Sequence, residues 1–488
     1  MSRSIVTYLR DRWHSASGYR DVLVLAGPLV LSTGTMTVQQ FVNRMFLTWF
    51  SPEALAASLP GGTLSFTFQC FFIGTVSYAN TFVAQYHGAG QKERIPAAVW
   101  QAVYLALLAS VLILPMALLA KPIFAIGGHE AAVQALEVQY FRILIIGGGF
   151  GILSSAASAF FVGLGRTRTV MWVNVGTAVA NVVLDYLLIF GKFGLPRLGI
   201  AGAGYATVIS SFLGALTFMA LFLGSPAGRE YRVWQRRAMD LPLLGRLLRF
   251  GAPSGLHFML DIFAWSLFIM LVGRLGTNAL AATNLAFQVN TVVFLPMIGF
   301  SIATSTLVGH RLGENRPELA MKTTWSAFQM TFSYMFVLAV LYLTIPDLFI
   351  LPFAAGADAA QFSQIRGTVV ILLHFVAVYS LFDGANLIFS AALKGAGDTL
   401  FVMIMSTGLS MSLMVVPTWL ICHDGKGSIW AAWLALTAYI CVLALCFVWR
   451  FLRGRWKTMR VTEVQHGPVS PTLPVPDHPL TDADITAS

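Results

Sequence analysis

The chain has 488 residues, 57% of them hydrophobic and 11% charged, and a mean hydropathy of +0.73. Soluble domains carry about 25% charged residues, which excludes a soluble core with a polar skin and indicates a polytopic membrane protein. The net charge of +10 comes from basic residues scattered in short loops, a pattern suited to lipid headgroups and topology rather than nucleic acid.

Residues 1–20 form a cytoplasmic segment bearing Arg3, Arg10, Arg12 and Arg20. The apolar run after it, Val22 to Phe50, is too long for the core of a cleavable signal peptide and reads as a retained first span. A bilayer core takes about 20 apolar residues per helix. About twelve such runs occur, near 22–50, 54–86, 97–120, 132–163, 169–190, 200–224, 251–275, 279–310, 320–345, 362–392, 399–421 and 428–452. The second, fourth, eighth and tenth runs are long enough to require tilt or an interfacial turn. The expected fold is all-α, with an N-lobe at 21–225, a basic cytoplasmic linker at 226–250 and a C-lobe at 251–457. The Pro-rich stretch 458–488 has too few apolar residues to build a core and reads as a disordered cytoplasmic tail.

With the N-terminus inside, 23 of the 31 basic residues fall on one side of the membrane. They include Lys92 and Arg94, Arg166 and Arg168, six arginines in the linker, Arg311, and Lys394. The opposite loops hold few, among them Lys121, Lys192, Arg197, Arg274 and Lys426. This asymmetry places both termini in the cytoplasm of a multi-pass inner-membrane protein.

The halves repeat one another. Pro28 in AGPLVLS precedes Pro253 in GAPSGLH by 225 residues, and EALAAS (53–58) stands at the same offset from NALAAT (278–283). Gly88 and Gly313 keep that spacing, while GLG (163–165) and GAG (395–397) are 232 apart. Each unit is therefore six helices beginning on the same side, an arrangement in which substrate sits between rocking halves.

Three carboxylates, Asp185, Asp261 and Asp383, lie deep in apolar runs; the other 18 acids read as lying in termini, loops or the ends of runs. A carboxylate at bilayer depth is costly unless paired, hydrated or protonated, so it marks function. Residues at i and i+4 share a helix face. That pairs His257 with Asp261, Asn181 with Asp185, and Tyr379 with Asp383, whose i+3 neighbour is Asn386. Deprotonated, such acids form an oxygen site suited to Na+; in apolar surroundings they exchange protons. Both chemistries stay open, and Asp261 and Asp383 are the candidate Na+ ligands. By the repeat, Asp261 corresponds to Met36 and Asp383 to Gly151, so the acids break the symmetry of the halves.

Pro28, Pro60, Pro253 and Pro296 lie in or just within spans, where each removes a backbone hydrogen bond. Gly147, Gly148, Gly149 and Gly151 suggest close helix packing. The 37 Phe residues include candidates for cation–π contact with lipophilic cations. Cys70, Cys422, Cys441 and Cys446 have neither metal nor disulfide spacing. No GxxxxGK[ST], HExxH or GxSxG motif occurs, so direct ATP use and hydrolytic chemistry have no support. No enzyme activity and no resident cofactor are expected.

The stretches FVAQYHGAG (82–90), NVVLDYLLIFG (181–191), LGIAGAGYATVIS (198–210), NALAATNLAFQV (278–289), LVGHRLGEN (307–315) and FDGANLIFSAALKGAGDT (382–399) together resemble the multidrug and toxic compound extrusion (MATE) family, NorM-like bacterial branch. The resemblance covers roughly residues 15–455. It implies a V-shaped pair of six-helix lobes exporting organic cations or toxic metabolites against inward Na+ or H+. The branch's C-lobe coupling acids map onto Asp261, eight residues after Pro253 and shorter than the usual Glu, and Asp383. Gln288 is a supporting polar residue. A second branch uses an N-lobe acid pair; Asp185 and Asn181 match its fifth span, but Asn43 stands where its first-span acid belongs. Arg44 beside Asn43 is a candidate partner for Asp185. The expected function is a monomeric multidrug antiporter in contact with membrane lipids. Its rivals are a flippase for lipid-linked intermediates, for which Arg44, Arg142 or Arg366 would supply basic charge, and a non-transporting scaffold or receptor.

Overall fold

The computed structural model describes residues 5–125, 127, 129–354, 359–425 and 427–463. Arg3, Lys426 and most of the expected tail lie outside the described residues. After a short helix at Ile5–His14 come twelve long helices, here α1 to α12. The first six are Tyr19–Phe50, Pro52–Ser77, Arg94–Leu112, Ala131–Gly163, Thr167–Phe190 and Ile200–Gly224. The second six are Leu241–Gly273, Thr277–Gly313, Pro317–Thr344, Ala359–Ala396, Thr399–Cys422 and Ile429–Leu452. Among the described residues there is no strand.

Local chemistry sets the boundaries. Ser51 separates α1 from α2, its hydroxyl accepting from the Ala54 amide at 3.0 Å, with Pro52 opening the new helix. α5 ends at Gly191, whose φ of 65° is open to glycine at little cost. The four prolines flagged in the sequence lie inside α1, α2, α7 and α8, which continue through them. The long second run divides into α2 and a short helix at Ala79–Gly88, while α4, α8 and α10 run unbroken. α11 carries a π-helical turn at Ser410–Val415.

Eleven helices among the described residues are long and apolar enough to cross a membrane. The exception is α2. Its Ser58, Thr63, Ser65 and Gln69 lower its hydropathy, and all four line a cavity described below.

The helices divide into two units, Leu31–Met259 and Met1–Val30 with Leu260–Ser488; the divisions fall inside α1 and α7, near Pro28 and Pro253. In the first unit α4 is central, packing on α2, α3 and α6. Its glycines permit this: a Cβ on Gly147 would fall 2.2 Å from Val208 of α6, and one on Gly149 would fall 2.3 Å from Ser110 of α3. The expected linker is folded onto this unit. Trp100 Nε1 donates to the Val233 carbonyl at 2.9 Å, and Gln101 Nε2 to that of Ala238 at 3.2 Å. Lys92–Glu230 (2.9 Å), Arg94–Asp240 (3.0 Å) and Arg236–Glu93 add ion pairs.

In the second unit α10 packs on α8, α9 and α12 around Phe268, Tyr379, Phe389 and Trp433. Arg450 and Asp398 form a nearly buried ion pair at 2.7 Å, with the guanidinium over the Phe401 ring. At the end of the C-lobe Trp456 stacks on Phe451 at 4.7 Å, and past 458 Val461 is fully buried.

Candidate functional site

Two polar clusters lie among the apolar helices, one in each unit. In the second unit, α7 carries Asp261 and α10 carries Asp383, each half-buried. The two carboxylates lie within electrostatic reach of each other, and the hydroxyl-bearing ring of Tyr439 on α12 is within reach of both. Asn386 Nδ2 donates to Asp383 Oδ1 at 3.4 Å. Tyr379, one turn before, is buried and in reach of Asp383; its hydroxyl accepts from Asn290 Nδ2 at 3.3 Å. The structure therefore brings Asp261, Asp383, Asn386 and Tyr379 together. Gln288 is exposed on α8, and His257 stands one turn before Asp261 on the unbroken α7.

Three members of this cluster escape a reading of the sequence: Lys394, Asn290 and Tyr439. Lys394 interacts with Asp261. It reads naturally as a loop charge that sets topology, yet it is half-buried at the end of α10. Asn290 was signalled only by standing two positions beyond Gln288. Tyr439 lies in the most apolar span and carries no local signal.

In the first unit, Asp185 on α5 is fully buried and its Oδ1 has no hydrogen-bond partner. The amide of Asn181, also fully buried, stands 3.0 Å from Asp185 Oδ2 and 3.0 Å from Gln39 Nε2, and it reaches Ser210 Oγ at 3.3 Å. Next to this network is a cavity of about 300 Å³. Its walls include Gln39, Asn43 and Arg44 of α1, Ser65 and Gln69 of α2, and Tyr140 of α4. Asn43 is close to the Tyr140 hydroxyl, and Tyr140 lies within reach of both the Asp185 and Arg44 charges. Arg44 is exposed to the cavity and, among the described residues, makes no ion pair with Asp185.

Two expectations change. Glu137 is not at the solvated end of a run. It is fully buried in α4, with His129 Nδ1 2.8 Å from Oε1 and with Oε2 left without a hydrogen-bond partner. Arg366 is paired in an exposed setting, its guanidinium donating to both oxygens of Asp347 at 2.9 and 2.7 Å. Among the described residues no group of three or more His, Cys, Asp or Glu side chains is placed to hold a metal.

The MatE family model matches residues 28–187 and again residues 253–420, starting 225 residues apart. The chain belongs to the MatE family. That interval is the spacing between Pro28 and Pro253 in the sequence repeat, so the resemblance and the duplication are both borne out. A relative from Burkholderia mallei, named "Probable multidrug resistance protein NorM", is 28% identical over 443 residues, covering 89% of this chain and 92% of its own. A MATE protein solved as a complex matches with a TM-score of 0.81 at 20% identity, covering 93% of this chain and 98% of the other. An outward-facing multidrug resistance MATE family transporter gives a TM-score of 0.80 at the same identity and coverage. Family and helices together make the chain a multi-pass membrane protein with the MATE fold.

Proposed function

We propose that the chain is a secondary active antiporter of the bacterial inner membrane, exporting amphipathic organic compounds against inward movement of Na+ or H+. Both termini are cytoplasmic in this reading, which rests on the one-sided distribution of Lys and Arg. The relatives' naming as multidrug resistance proteins supports a broad substrate range.

The observation that carries the reading is the convergence of Asp261 with Asp383, with Lys394 in electrostatic reach of Asp261. With all three ionised, two carboxylates and one ammonium sum to a single negative charge. One monovalent cation brings the cluster to neutrality. A neutral cluster is far less costly at bilayer depth than a charged one, so each binding event changes which surroundings the cluster favours. Drive requires that the cation bind the inward-open and outward-open states with different affinity. A proton would sit on one carboxylate. Na+ would take oxygens from Asp383, Asn386 and Asp261, a hard-ligand set of the kind it prefers.

Reconstituted into vesicles loaded with a fluorescent cation, the protein should export dye when a Na+ or pH gradient is imposed, and the two gradients applied separately name the coupling ion. Asp383→Asn should reduce gradient-driven export to background while the protein remains folded in the membrane. Full export by that variant would remove Asp383 from the coupling site.

A further inference from the structure

The cavity in the first unit has the wrong polarity for an organic cation. Among its lining residues Arg44 alone carries a formal charge. Asp185, the acid of the adjoining network, is fully buried and does not line the cavity; the Asn181 amide stands 3.0 Å from both its Oδ2 and Gln39 Nε2. Arg44 has no ion-pair partner among the described residues, although it lies on a membrane-spanning helix. An uncompensated guanidinium at such a place is costly, and it repels cations while favouring an acceptor with negative charge. The remaining walls are amides and hydroxyls, together with Leu59, Phe66 and Leu144. Such a surface suits a small apolar body that ends in an oxyanion.

We infer that this cavity recognises a carboxylate carried by a transported compound, with Arg44 as the specificity-determining residue. This rests on the efflux reading above and narrows its substrate class to include zwitterions and organic acids. The guanidinium presents paired N–H donors in the plane that matches a carboxylate, a geometry lysine does not reproduce. On α1, Gln39, Gln40, Asn43 and Arg44 recur at i, i+1, i+4 and i+5, so one helix face delivers the charge together with neutral hydrogen-bonding groups. Gln69 donates to Ser65 Oγ at 2.8 Å, which fixes its amide at the opposite wall.

The test uses a matched pair of dyes, a rhodamine with a free carboxylate and its methyl ester. Binding to the purified wild-type protein is measured first, by fluorescence anisotropy at neutral pH in detergent. The acid should bind more tightly than the ester; a preference for the ester overturns the proposal without any variant. In proteoliposomes of phosphatidylcholine, Arg44→Gln should lower the acid-to-ester ratio of export rates by at least about tenfold, the order of one charge-assisted pair. Arg44→Lys should recover only part of that ratio. An unchanged ratio in Arg44→Gln overturns the assignment. Replacing a third of the lipid with phosphatidylglycerol tests the other source of an oxyanion. If that lipid abolishes the acid preference of the wild type, the guanidinium holds a headgroup and the carboxylate proposal fails. Failure of the wild type to move either dye under any gradient counts instead against the efflux reading.

Discussion

Eleven residues beyond Asp383, Lys394 returns to nearly the same face of α10, because eleven residues make about three turns. Asp383, Asn386 and Lys394 thus share one stripe, and the spacing was present in the sequence. The stripe is masked because Lys394 also stands among the cytoplasmic charges. Asp185 with Asn181, and Asp383 with Tyr379 and Asn386, were legible because an i and i+4 spacing suffices to bring polar groups together. Arg44 was visible as a residue but not in its setting, since the cavity walls come from four helices, α1, α2, α4 and α6. The charge sum gives Lys394 a testable role. In Lys394→Met the cluster carries two negative charges, holds its cation more strongly, and releases it more slowly. Export should slow, and the cation concentration giving half-maximal export should fall by about tenfold, on the scale of one pK unit of interaction. Slower export at an unshifted half-maximal concentration would make Lys394 a structural residue only.

The long helices were readable from apolar run length alone, and their prolines did not break them. Run length finds α2 within the run 54–86, while hydropathy leaves it short, because Ser58, Thr63, Ser65 and Gln69 line the cavity. The π turn of α11 could not be read, since SMSLMV has nothing that distinguishes it from α-helix. A packing motif lies within α7. Gly251 and Gly255 in GAPSG stand one turn apart on α7, and small residues at that spacing let backbones approach. A Cβ on Gly255 would lie 2.1 Å from the Phe71 carbonyl oxygen and 2.3 Å from Thr75 Oγ1 of α2. Backbone atoms cannot yield as a flexible side chain can. Gly255→Val should therefore force α2 and α7 apart, costing about 1–3 kcal/mol as other overpacked cores do. A fall of several degrees in the thermal midpoint of the detergent-solubilised protein is the expected reading. Gly245→Val provides the control, because nothing lies within 4 Å of its Cβ position. Equal midpoints for both variants would refute the close-contact account.

Across the whole chain, two duplicated halves have diverged in charge. The C-terminal half keeps acids at positions where the N-terminal half has Met36 and Gly151, while the N-terminal half has Arg44 and Asp185 at places of its own. The segment joining the halves was read as a linker from its arginines, yet its acids matter as much. Glu230 takes Lys92 at 2.9 Å, and the two residues shift each other's titration. The hydrogen bond and charge from Lys92 hold the Glu230 carboxyl below its ordinary value, and Glu230 raises the Lys92 ammonium above its own. The sign follows for each. Glu230 favours the docked segment above the usual carboxylate range, near pH 4.3, and loses that contribution as pH falls through its lowered folded value. Lys92 contributes below about pH 10.4 and loses it as pH rises through its raised value. Both side chains are substantially exposed, at 63% and 46%, so the pair contributes no more than about 1 kcal/mol and weakens with salt. Hydrogen exchange at 226–236, expressed as protection factors, should show a plateau between these limits and a decline of up to about fivefold below pH 4. Glu230→Gln should show that reduced protection already at pH 7, and high salt should bring the wild type toward it. Protection in the variant equal to that of the wild type at pH 7 and low salt would assign the docking to Trp100 and Gln101 alone, with their bonds to the Val233 and Ala238 carbonyls.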